Sequence, residues 1–238
     1  MKRQIGWIGT GIMGQSMCGH ILSAGHAVRV TNRSRYKADS LIAQGATWCD
    51  TPADVAHGSD VIFVMVGYPA DVESVILGAH GVLNTCAQGS VIIDMTTSEP
   101  SLAVKIHEAA ARKGIGALDA PVSGGDVGAR EATLAIMVGG DEAAFDQARP
   151  LLELMGSKIT YMGPSGSGQH TKMCNQILSA STMVGVVESL LYAQKAGLGP
   201  DQVIDVIGSG AAASWAINNL GRRIAKGDFE PGFFIKHF

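Results

Sequence analysis

The chain has 238 residues, 46% of them hydrophobic and 16% charged, with a net charge of −3. That length suits one large domain or two ordinary ones, and the apolar content excludes a disordered chain. No basic run exceeds a few residues, which excludes a nucleic-acid surface as partner, and the dispersed glycines exclude a collagen-like repeat.

In chain order, Gln4 to Ile8 reads as a short apolar strand that runs into Gly9-Thr10-Gly11-Ile12-Met13-Gly14. Met13, Met17, His20 and Ile21 follow at helical spacing up to the stop at Gly25, and Ala27 to Thr31 reads as a second strand. Strand, G-x-G-x-x-G, helix and strand within about thirty residues is the context of a dinucleotide fingerprint. Gly9 permits the tight turn, Gly11 lets the backbone approach a pyrophosphate, and Gly14 lets helix and strand pack closely. The pyrophosphate would sit on free N–H groups at the helix N-terminus. The alternative, a purely structural glycine turn, leaves this order of elements unexplained.

A carboxylate normally ends the second strand to hold a ribose hydroxyl. Here the residues are Asn32-Arg33-Ser34-Arg35, and an arginine there can pair with a 2′-phosphate, so NADP is favoured, with NAD as the alternative. The competing reading is that Arg33 and Arg35 are solvated and Ser34 caps the next helix. Ala46 to Cys49 reads as a strand and Thr51 to His57 as a short helix. Val61 to Val66 is a β-branched run suited to a parallel strand covered on both faces, with Val66 at the carboxyl end where cofactor contacts gather. A helix around Ala70 to Leu77 leads to strand Val91 to Asp94. Thr96, Thr97 and Ser98 then either bond the ribose or nicotinamide or cap a helix beginning near Glu99-Pro100.

Ser101 to Lys113 reads as helical and Gly116 to Asp119 as a strand, which opens onto the turn Ala120-Pro121-Val122-Ser123-Gly124-Gly125. Leu134 to Val138, a helix from Asp141 to Met155 and a strand from Lys158 to Tyr161 complete a doubly wound sheet. Composition changes at Gly163-Pro164-Ser165-Gly166-Ser167-Gly168, read as a hinge. One long helix from Gln169 to Ala196 follows, then a shorter helix capped by Asp201. The fold class is therefore α/β: a Rossmann-type doubly wound sheet over 1–163, followed by an all-helical second domain over 164–238.

Moving hydride at an alcohol carbon needs a group that carries the hydroxyl proton and donors that hold the substrate's polar ends. Ser123, Gly124 and Gly125 offer a hydroxyl and backbone N–H groups in the kind of concavity that binds a carboxylate. Lys172 falls in the first turn of the long helix, with Asn175 and Gln176 on the same face. Partial desolvation beside a helix N-terminus should lower its pKa toward neutrality. Taken singly, each residue also has a plain reading as surface cation, turn residue or packing amide.

The four cysteines, Cys18, Cys49, Cys86 and Cys174, form no C-x-x-C pair, and the histidines show no ligand spacing. Neither a disulfide framework nor a metal is expected, and a reducing, cytoplasmic setting is. The longest apolar runs are too short to span a bilayer, and glycines interrupt the apolar start that would otherwise suggest a signal peptide, so no membrane partner is expected.

The whole chain resembles the β-hydroxyacid dehydrogenases, among them 3-hydroxyisobutyrate dehydrogenase, tartronate semialdehyde reductase and, more distantly, 6-phosphogluconate dehydrogenase. The resemblance rests on Gly9-Thr10-Gly11-Ile12-Met13-Gly14, on Asp119-Ala120-Pro121-Val122-Ser123-Gly124-Gly125, and on Gly166-Ser167-Gly168-Gln169-His170-Thr171-Lys172-Met173-Cys174-Asn175-Gln176. It implies Lys172 as acid/base catalyst, the turn Ser123 to Gly125 on the substrate carboxylate, and Asn175 or Gln176 on the hydroxyl. The implied substrate is a small 3-hydroxy acid or its semialdehyde, and the implied assembly a homodimer or homotetramer. A non-catalytic dinucleotide-binding module and an imine reductase are the alternatives, and the lysine at 172 disfavours the latter. The family continues beyond the Phe233 region to a lysine-aspartate pair near the cofactor. Phe233 and Phe234 are also followed by little C-terminal material to bury them, so a truncated chain, or a helical domain completed by a partner subunit, is expected.

Overall fold

The structure, a computed structural model, describes residues 2–230, so expectations placed on Pro231 to Phe238 lie outside the described residues. The chain divides into two compact units, one ending at Lys172 and one beginning at Met173.

The first unit is built on one sheet. Its strands are β1 (Gln4–Ile8), β2 (Ala27–Thr31), β3 (Thr47–Trp48), β4 (Val61–Val64), β5 (Val91–Asp94), β6 (Gly116–Asp119), β7 (Val122–Ser123), β8 (Leu134–Gly140) and β9 (Gly156–Gly163). Their order is β3-β2-β1-β4-β5-β6-β8-β7, with β9 paired to β8. Helices α1 (Ile12–Ser23), α2 (Asp39–Ala43), α3 (Pro52–Ala56), α4 (Pro69–Leu77), α5 (Pro100–Ala111), α6 (Gly125–Arg130) and α7 (Glu142–Leu152) connect them. From β3 across to β6 every pairing is parallel, as strand–helix–strand crossovers require. Beyond β6 the sheet turns mixed: β8 runs antiparallel to β6 and β7, and β9 parallel to β8.

The parallel strands are apolar on both faces because helices cover both. Trp7, Phe63, Ile93 and Leu118 are successive register partners in one buried cluster, while Ile8, Val64, Ile62 and Ile92 belong to a second. Burial of each such side chain contributes about 1.5–3 kcal/mol. Trp7 also joins core to loop: its ring stacks on Phe63 at 5.1 Å, and its indole N–H donates to the Gly9 carbonyl at 2.9 Å.

The stretch Asp119 to Gly125, expected as a turn, is largely a continued strand. β6 and β7 lie along the same edge of β8, interrupted at Ala120-Pro121, and the Pro121 carbonyl still accepts from the Met137 N–H at 3.1 Å. The chain turns only at Gly124 (φ 137°) and Gly125 (φ 65°), where a Cβ would be strained. α6 follows at once, a helix that the apolar pattern does not announce because its six residues include Gly125 and Gly128.

The long helix α8 (Ser167–Lys195) starts in the first unit and continues in the second, which also holds α9 (Pro200–Ile207) and α10 (Arg222–Ala225). Val186, Leu190, Ile204 and Ile217 form that unit's small core. Ile177, Leu178, Val184, Leu191 and Tyr192 on α8 are exposed. By length and composition α8 is long and apolar enough to cross a membrane.

Candidate active site

The strand order reverses between β1 and β4, and there the carboxyl ends of parallel strands open a crevice for a ligand. Gly9 follows β1, with φ 95°, and a Cβ on it would be driven into the Met65 carbonyl just beyond β4. A Cβ on Gly14 would strike the Gly9 carbonyl, so α1 can begin this close to β1 only with glycine there. A Cβ on Gly11 would meet nothing within 4 Å among the described residues, so the crest of the loop is open to a ligand. The Thr10 hydroxyl is buried without a partner among the described residues, and α1 starts with no side-chain cap and no acidic residue in its first turn. Open backbone, an orphaned hydroxyl and an uncapped helix N-terminus together fit a dinucleotide pyrophosphate. Ile12 is exposed at that N-terminus, with Met13 half-buried behind it.

Asn32, just after β2, is held inward. Its Oδ1 accepts from the Thr10 N–H at 3.1 Å, and its Nδ2 donates to the Ser34 carbonyl at 2.9 Å. Arg35 lies over the Trp48 ring at 5.4 Å, whereas Arg33 is exposed and enters no ion pair among the described residues. Ser34 makes no capping bond with its side chain.

Two further ends complete the crevice floor. β4 stops at Val64, and the Val66 N–H donates to the Thr96 hydroxyl at 3.1 Å. Thr96 therefore ties the β5 end to the β4 end rather than capping α5, whose N-cap Glu99 carries no side-chain bond. The Thr96 N–H donates to Asp94 at 3.0 Å, and burial pushes that carboxyl up to about 7, opposed by its bonds to Thr96 and aided by Asp119 nearby.

The start of α8 is docked on the same edge. Asp119 Oδ1 accepts from the Gly166 N–H and its Oδ2 from the Gln169 N–H, both at 2.8 Å. A Cβ on Gly168 would collide with the carbonyls of Asp119 and Met137. The glycines expected as a hinge are thus close-approach points that seat a helix against β6 and β8. Burial pushes the Asp119 carboxyl up, and the Gly166 and Gln169 N–H groups hold it down. Gln169 is fully buried: its Oε1 accepts from the Ser98 N–H at 2.9 Å and its Nε2 donates to the Thr96 carbonyl at 2.7 Å.

Lys172, one helical turn on, is 7% exposed and has no carboxylate partner among the described residues. Loss of water alone lowers its ammonium from 10.5 to about 8. Such a cation, buried and unpaired, is costly to stability and suited to proton transfer near neutrality. Ser123 is half-buried at the end of β7, followed by exposed Gly124 and Gly125. In the second unit Gln176 is buried and accepts from the Asn175 amide at 2.9 Å. Asp126, beside the glycine turn, is paired with Arg130 at 2.6 Å.

One connected set of contacts, within the first unit, thus runs from Asn32 through Thr10, Gly9, Val66, Thr96 and Gln169 to Asp119. Sequence reasoning had the fingerprint, the glycine turn and Lys172, but gave Gln169 no task. A polar amide in the first turn of an apolar helix is the signal that could have found it. Among the described residues no group of three or more His, Cys, Asp or Glu is placed to hold a metal ion.

Comparison with known proteins agrees with this architecture. Residues 4–163 match the NAD binding domain of 6-phosphogluconate dehydrogenase, and residues 166–238 match the NAD-binding family of NADP-dependent 3-hydroxyisobutyrate dehydrogenase. An uncharacterised oxidoreductase of Bacillus subtilis is 56% identical over 238 residues, spanning 100% of this chain and 83% of that protein. The 2-hydroxy-3-oxopropionate reductase of Escherichia coli is 42% identical over 232 residues, 98% of this chain and 79% of its own length. A solved 3-hydroxyisobutyrate dehydrogenase of Mycobacterium tuberculosis, with L-serine, superposes with a TM-score of 0.89 at 33% identity, covering 98% of this chain and 81% of that one. The chain belongs to the β-hydroxyacid dehydrogenases, a family of NAD(P)-dependent oxidoreductases.

Proposed function

We propose that the protein transfers hydride between NADP(H) and a small 3-hydroxy acid or its semialdehyde, with Lys172 as general acid and base. The single observation that carries this is a buried lysine, without a carboxylate partner among the described residues, whose pKa burial lowers to about 8. Gly9, Thr10, Gly11, Ile12, Met13 and Gly14 would hold the pyrophosphate, Asn32 and Arg33 the adenosine end, and Val66 and Thr96 the nicotinamide end. The cofactor, when bound, supplies the hydride acceptor or donor. In the oxidising direction neutral Lys172 takes the substrate hydroxyl proton; in the reducing direction its ammonium returns a proton to the carbonyl oxygen. Ser123, Gly124 and Gly125 hold the substrate carboxylate, and Asn175 or Gln176, on the Lys172 face of α8, orients the hydroxyl. The protein acts as a homodimer or homotetramer, a reading supported by the apolar residues left exposed on α8.

A steady-state screen of three- and four-carbon hydroxy acids and semialdehydes with both cofactors tests the reading. Lys172→Ala should lower kcat by about 10²–10⁴-fold while NADPH still binds, as expected for loss of a general acid or base. Arg33→Ser should weaken the NADP(H) kcat/KM by about tenfold or more and leave that for NAD(H) near its original value. Undiminished turnover by Lys172→Ala overturns the role of Lys172, and a preference for NAD in the unaltered protein overturns the cofactor assignment.

A further inference from the structure

We propose that Asp119 and Gln169 form a buried clamp that positions Lys172 for proton transfer, a role beyond the substrate turn in which Asp119 is embedded. The inference rests on the reading of Lys172 as the acid/base group.

The clamp is two-sided. Asp119 ends β6 and receives the Gly166 and Gln169 N–H groups, each at 2.8 Å, so a carboxylate from the sheet caps the first turn of α8. Gln169 reaches the opposite way and spans the loop after β5, accepting from Ser98 at 2.9 Å and donating to Thr96 at 2.7 Å. Only a side-chain amide offers an acceptor and a donor side by side, and asparagine is one methylene too short to keep both partners. The fit admits no extra atoms: a Cβ on Gly139 would lie 2.6 Å from Asp119 Oδ1, and one on Gly168 would lie 2.9 Å from Oδ2.

A helix is rigid over a single turn, so fixing Gln169 fixes Lys172, about 4.5 Å further along the axis. Asp119 also begins the run that ends at Ser123, since the Ala120 N–H donates to the Asp94 carbonyl at 2.7 Å and β7 continues on β8. Asp119 therefore references the helix that carries Lys172 and the strand that carries the glycine turn to one point in the sheet. By occupying the positive end of α8, it also removes that end as a competing site for an anionic substrate. Asp119 and Gln169 are positioning residues, because they act through Lys172 rather than on the reacting atoms.

A double-mutant cycle on the full chain tests the clamp. Gln169→Ala should lower kcat about 10–100-fold, as small misplacement of a reacting group does, with the NADPH Kd by fluorescence unchanged within about threefold. In a Lys172→Ala background the same change should cost nothing further in kcat. Gln169→Met nearly keeps the volume and loses both hydrogen-bonding groups without adding a charge, so it serves if the alanine variant does not fold. A second readout needs no turnover: trace acetic anhydride labelling across pH should place the Lys172 midpoint near 8 in the unaltered protein and raise it toward 10.5 in the Gln169 variants. An equal kcat loss with and without Lys172, or a fall in Tm alone with an unmoved labelling midpoint, overturns the clamp. If no hydroxy acid or semialdehyde turns over at all, the reading of function fails while the labelling still decides the clamp.

Discussion

At the scale of single residues, the chemistry lies in groups whose charge the surroundings oppose. Lys172 should give a kcat/KM profile with an inflection near pH 8, rising through it in the oxidising direction, where the neutral amine is needed, and falling in the reducing direction. Its effect on stability has the matching sign. The folded pKa of about 8 lies below the ordinary 10.5, so stability is lost as pH falls through 8, where the buried amine must charge. Lys172→Met should therefore stabilise the protein by about 1–3 kcal/mol at neutral pH, and urea melts should show the gain vanish above pH 10.5. Asp94 behaves oppositely. With its carboxyl raised from 3.8 to about 7, stability is fully present below 3.8 and lost as pH rises toward 7. Asp94→Asn should flatten the decline in Tm over that window, and an unchanged slope would show that Asp94 does not cause it.

At the scale of elements, the fingerprint was legible because each glycine has a separate steric task. Gly14 faces the Gly9 carbonyl, a backbone atom that cannot rotate away, so Gly14→Ala must open the loop. It should cost about 1–3 kcal/mol by thermal melt and weaken NADPH binding by about tenfold or more in fluorescence titration. Unaltered binding would mean that the loop tolerates the shift. The glycine turn was legible in composition but not in shape. Nothing local shows that Val122-Ser123 rejoins the edge of β8, because strand pairing is decided by residues distant in sequence. The same holds for Gly163 to Gly168. Flexibility was the natural reading of so many glycines, yet Gly166 and Gly168 are there so that β6 and β8 can approach the helix start.

At the scale of the whole molecule, alternating strands and helices determined a doubly wound sheet, since apolar runs buried on both faces leave few other arrangements. The order of three motifs determined the family, and a lysine near the start of a helix after the glycine-rich stretch marked the candidate acid/base. Tertiary structure alone decided which strands run antiparallel at the far edge, that Thr96 joins two strand ends, and that Asp119 caps α8. It also decided the burial that leaves Lys172 with a pKa of about 8. The physical reason is one of range. Periodicity and glycine sterics act over a few neighbouring residues and can be read along the chain. Desolvation and hydrogen bonds between Asp119 and Gln169, or Thr96 and Val66, arise only once the sheet has brought distant segments together.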